Sequence, residues 1–128
     1  MEMNQLSVND NQFTAYTDKS VTIKDVQYRS SIIVSNNGIE DLHKSQITDL
    51  ELDDIQAIIK SEVDLVIFGS GGKIVYPKIE LIKALHKHAI GVEVMNITSL
   101  CRTFNFLVSE GRKVAAVLVF GDQPNAAS

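Results

Sequence analysis

The segment Gly91–Phe120 constrains the fold more than any other. Val92–Met95 reads as a strand, Ile97–Glu110 as a long helix and Val114–Phe120 as a second, almost wholly apolar strand. Upstream, Leu65–Phe68 is a continuous apolar run, the mark of a strand covered on both faces. Between these strands Pro77 suits the first position of another helix, whose core stripe would be Ile79, Ile82, Leu85 and Ala89. Alternation of strand and helix predicts a sheet with helices packed on its faces. Right-handed crossovers would bring the loops after Phe68 and Met95 to one edge of that sheet.

The first part of the chain is different. Asn11–Ser35 reads as a small antiparallel unit, with alternating pieces at Phe13–Tyr16, Val21–Ile23 and Val26–Tyr28 and a better buried run at Ser31–Val34. Thr17–Ser20 and Lys24-Asp25 supply its turns, and Asn36-Asn37-Gly38 breaks the run. Ile39–Asp49 reads as a loop with a short strand at Gln46-Ile47. Leu52–Lys60 is expected to be helical, with Leu52, Ile55 and Ile59 on one side and Asp49 as the cap. Gly111 is placed to stop the long helix. The ends, 1–10 and 121–128, are expected to fray.

A chain of 128 residues fits one domain. Its net charge of −4, with Lys and Arg scattered, argues against a nucleic-acid partner. No apolar run approaches the roughly 20 residues that span a bilayer. The opening MEMNQLSVND has neither the basic nor the apolar region of a secretory signal. Cys101 is the only cysteine, which rules out an internal disulfide, and the chain reads as cytoplasmic.

Four features are candidates for function. The loop Gly69-Ser70-Gly71-Gly72-Lys73 follows a buried strand, where a phosphate loop would sit, yet Ile74 departs from both the dinucleotide and the Walker patterns. It is either a tight turn allowing close backbone approach or, with Asn96, Thr98 and Arg102, a site for a small anion held by backbone N–H groups. On the long helix, Ile97, Leu100, Cys101, Phe104, Leu107 and Val108 form the core stripe, while Thr98, Arg102, Asn105 and Ser109 form a polar one. Arg102 gains nothing from the helix dipole so near the N-terminus, which predicts a specific partner. Glu93 is the internal candidate for an ion pair; an external anion or a partner's carboxylate is the functional one. Phe106 points away from the core stripe and marks either a covered side chain or a contact surface. Cys101 falls in the core stripe and reads as a small buried hydrophobe. His43, His86 and His88 make no metal set, since the last two point apart on a helix, and no metal, cofactor or catalytic residue is expected.

Taken together, Gly69-Ser70-Gly71, Gly91-Val92-Glu93-Val94-Met95-Asn96-Ile97, Cys101–Leu107 and Glu110–Ala116 resemble a widespread small-domain family of bacteria and archaea. Its eukaryotic relatives include a mitochondrial complex I assembly factor and an adipogenesis-associated protein. The resemblance implies a three-layer α/β domain: a mixed central sheet, helices on both faces and the N-terminal antiparallel β unit as an extra layer. It also implies a non-enzymatic protein-binding or assembly-assisting role. For such a role the helix faces put Phe106 and the stripe Thr98, Arg102 and Asn105 in or near the contact, and a homo-oligomer is one form of it. A small anionic-ligand domain or an unrecognised enzyme is the alternative.

Overall fold

The computed structural model describes residues 11–121. Its strands are β1 (Ala15–Tyr16), β2 (Val21–Ile23), β3 (Val26–Tyr28), β4 (Ile32–Ser35), β5 (Gly38–Asp41), β6 (Leu65–Ser70), β7 (Gly91–Met95) and β8 (Val114–Val119). Its α-helices are α1 (Gln56–Lys60), α2 (Ile79–Lys87) and α3 (Ile97–Ser109). The expected frayed ends lie, Gly121 apart, outside the described residues.

Two apolar strands form the centre. β6 and β8 run parallel, with Leu65 opposite Val114 and Ser70 opposite Val119. β7 adds in parallel on the far side of β6. β4 adds antiparallel to β8 and β5 antiparallel to β4, giving a mixed sheet in the order β5-β4-β8-β6-β7. Because strand side chains alternate, β8 feeds two cores. Val114, Ala116 and Leu118 pack with Ile67 against Ile97, Leu100, Cys101, Phe104 and Val108 of α3. Ala115, Val117 and Val119 pack with Val66 and Phe68 against Ile55, Ile58, Leu81 and Leu85 on the opposite face. Burial of each large apolar side chain contributes about 1.5–3 kcal/mol, so the two faces together hold the layers on the sheet.

The N-terminal unit is a separate sheet, β1-β2-β3, packed on the α3 side. Its β2–β3 turn places Lys24 and Asp25 at positive φ of 52° and 69°, the hand that matches strand twist in a two-residue hairpin. The Phe13 ring meets that of Phe104 edge-on at 5.2 Å. Central sheet, helices on both faces and added β unit are thus all present, and the fold is the three-layer α/β arrangement expected.

Several local expectations are corrected. Ser31–Val34 does not stay in the N-terminal unit: β4 enters the central sheet, where all four of its residues are buried. The region after it is not loop but β5, an edge strand whose Glu40 and Asp41 face solvent; charged edges of this kind resist unwanted pairing and hide the strand signal. Gln46-Ile47 is no strand; Ile47–Asp49 forms a 3-10 turn. Leu52–Lys60 begins as 3-10 over Leu52–Ile55, and Glu51, not Asp49, is its cap residue, with Asp54 accepting from Glu51 N at 2.7 Å. In α2 the buried stripe is Leu81 and Leu85, while Ile79 is exposed. Pro77 precedes the cap residue Lys78, and Ala89 lies past the end of α2 at φ 61°.

Candidate functional site

Open α/β sheets bind ligands beyond the C-terminal ends of their strands. At that edge the glycine loop and the start of α3 do come together. Gly69 is required by a close approach: a Cβ there would stand 2.7 Å from Leu100 Cδ1 and 3.3 Å from the Met95 carbonyl. Ser70 and Lys73 close the turn as an antiparallel bridge, with Gly71 at φ 46°. The carbonyl of Gly71 accepts from Ile97 N at 3.0 Å. Asn96 caps α3, its Oδ1 accepting from Ser99 N at 2.9 Å and from Thr98 Oγ1 at 3.3 Å. The loop therefore meets the helix through a carbonyl, and two donors that an anion would use are engaged within the chain.

A cleft of about 390 Å³ does open beside the loop. Gly71, Gly72 and Lys73 line one side of it, and Gln46 and Thr48 of the neighbouring turn line the other. Asn96, Thr98 and Arg102 are not among its walls. The cleft beside the loop thus does not take in the helix residues that the sequence groups with it.

The polar stripe of α3 divides in the same way. Asn105 does not face solvent freely. Its Oδ1 accepts from Phe13 N at 2.8 Å and its Nδ2 donates to Phe13 O at 2.8 Å. Gln12 adds a bond from Nε2 to the Asn105 carbonyl at 3.1 Å. Asn105 is thus a clamp between α3 and the segment entering β1. An amide in mid-helix, where its propensity is poor, is the one hint the sequence offers of such a role.

Arg102 and Glu93 are both exposed, and no ion pair within 4.0 Å joins them. Glu93 lies on β7, the sheet edge, while α3 packs chiefly over β8 and β6. Phe106 follows Arg102 by one helical turn and is 63% exposed, so no described part of the chain covers it. Cys101 is fully buried, and burial pushes its thiol up to about 12, with the Arg102 charge offsetting only part of the rise. A thiol held neutral in this way is no nucleophile. Among the described residues no cluster of His, Cys, Asp or Glu is placed to hold a metal ion.

Residues 13–119, from the Phe13 that Asn105 holds to the last residue of β8, match the family described as "Protein of unknown function (DUF498/DUF598)". The chain belongs to that family. Among DUF498/DUF598 relatives, a "13 kDa major membrane protein" of Francisella tularensis is 34% identical over 77 residues, covering 54% of this chain and 63% of its own length. The "NADH dehydrogenase [ubiquinone] 1 alpha subcomplex assembly factor 3" of Homo sapiens is 31% identical over 62 residues, covering 48% of this chain and 34% of its own. The chain thus spans under two thirds of the first of these and about a third of the second.

Solved structures repeat the DUF498/DUF598 fold. A Xanthomonas campestris protein superposes with a TM-score of 0.80 at 21% identity, covering 93% of this chain and 92% of its own. A Bartonella henselae protein described as an outer membrane protein superposes with a TM-score of 0.78 at 25% identity, covering 89% and 98%. Among the described residues of the present chain, no helix is long and apolar enough to cross a membrane.

Proposed function

We propose that this domain is a non-enzymatic protein-binding factor that assists assembly of a larger complex. One observation carries the reading: on the outer face of α3 the exposed Arg102 stands one turn from the exposed ring of Phe106. Aromatic and arginine side chains are the types enriched at the energetic centres of protein contacts. Arg102 is left to pair with a carboxylate of the partner, and Phe106 to fill a pocket on it. The internal use of Asn96 and Gly71 supports this over a ligand held by the same residues, and the clamp of Asn105 on Phe13 leaves Arg102 and Phe106 as the contact residues. Kinship with assembly factors of respiratory complex I supports the role. The names of the Francisella and Bartonella proteins support a client that lies at a membrane, with the domain itself acting from the cytoplasmic side.

The test is affinity capture from native lysate with wild type, Arg102→Ala and Phe106→Asp run side by side, each first shown to melt like wild type. A discrete partner recovered by wild type and lost by both variants is expected. If both variants keep every partner, this surface is wrong. Light scattering on the purified protein separates a second copy of the chain from a foreign client.

A further inference from the structure

A separate cleft of about 620 Å³ opens at the other end of α3, about 20 Å along the helix from the glycine turn. Small-molecule sites fall within about 300–1,000 Å³. Phe104 and Val108 of α3 face it, and its sides are the β4–β5 turn at Asn36–Gly38 and the segment Gly111–Lys113. Gly38 and Gly111 hold φ of 128° and 84°, and a Cβ on either would meet nothing within 4 Å, so the backbone lies open at both points.

The charge of this cleft runs against that of the molecule. The chain has 16 acidic and 12 basic residues, yet the described lining includes Arg112 and Lys113 and no carboxylate. Arg112 and Lys113 are exposed, and neither forms an ion pair among the described residues. The two ion pairs between described residues, Lys44 with Asp54 and Lys78 with Glu51, belong to the other face of the sheet. Asn36 and Asn37, whose side chains carry amide donors, also line it.

We propose that this cleft binds a small phosphate monoester. The phosphate lies between Arg112 and Lys113, a planar fork beside a point charge, which together match a dianion with several acceptor oxygens. The apolar body of the ester lies toward Phe104 and Val108. The inference is independent of the contact surface at Phe106, and either stands if the other fails.

Phenyl phosphate is the probe, titrated into the full-length labelled protein and read by amide chemical shifts. Saturable shifts are expected at Asn37, Gly38, Arg112 and Lys113. They should weaken about ten-fold or more in Arg112→Ala/Lys113→Ala, and weaken in wild type as salt rises. If the double variant loses its fold, Lys113→Gln and the salt series make the same test. Absence of saturable shifts at millimolar probe overturns the proposal. Equal shifts from benzyl alcohol overturn the anionic head, and equal affinity for inorganic phosphate overturns the apolar body.

Discussion

Asn105 binds Phe13 as a neighbouring strand would, donating to its carbonyl and accepting from its amide, each at 2.8 Å. One side chain thus replaces a strand pairing between two elements 92 residues apart in sequence. It fixes the edge-on contact of Phe13 with Phe104, and through it the seat of the N-terminal sheet on α3.

Asn105→Ala removes both bonds and leaves the half-buried amide and carbonyl of Phe13 unpaired. A loss of about 2 kcal/mol is expected in urea unfolding, with the Phe13 amide exchanging faster than amides of β6 and β8. Equal protection of Phe13 in variant and wild type would refute the clamp.

Gly69→Ala and Gly71→Ala separate two reasons for glycine. At Gly69 the added methyl meets Leu100 and the Met95 carbonyl, and a loss of about 1–3 kcal/mol from overpacking is expected. At Gly71 it meets nothing within 4 Å, and only the positive φ opposes it, at about 1–2 kcal/mol. Shortening Leu100 to Val should rescue stability at the first position and not at the second.

Ala89→Gly should raise stability. Ala89 N donates to His86 O at 2.9 Å and Ile90 N to Leu85 O at 3.0 Å, the double bond of a helix ending whose left-handed residue is usually glycine. Ala89 is exposed and holds φ 61°, so glycine relieves strain without loss of packing. A gain of about 1 kcal/mol is expected, read as a higher Tm.

Cys101 gives a pH dependence with a definite sign. The folded thiol is held up to about 12, while an unfolded one ionises at about 8.5. Between those values the unfolded chain has released its proton and the folded one has not. Stability therefore falls as pH rises, by at most about 1.4 kcal/mol per pH unit from this group. Urea unfolding at neutral and at alkaline pH should show a steeper decline for wild type than for Cys101→Ala.

The central strands and α3 were readable because burial on both sides leaves an unbroken apolar run at Val114–Val119 and a 3.6-residue stripe at Ile97–Val108. β5 was not, because Gly38-Ile39-Glu40-Asp41 is an edge whose solvent side carries charges. Nor does a β-branched run name its partner: Ile32–Ser35 reads alike whether it joins the N-terminal sheet or β8. Glu93 and Arg102 look like a pair in sequence, yet pairing needs neighbouring positions, and strand order puts Glu93 at the margin. Asn105 is the opposite case, a polar residue read as part of a contact surface that finds its partner in a segment of the same chain 92 residues away.

The position of β8 has a consequence for synthesis. The last of the described strands lies between β4 and β6, and Ser31 is bridged to Phe120 across 89 residues. Until Val114–Val119 is made, β4 has β5 and β6 has β7, but nothing joins the two pairs, and both hydrophobic cores lack a wall. At elongation rates of about 5–20 residues per second that state lasts for seconds. Only with Val114–Val119 in place can the two halves close into one sheet.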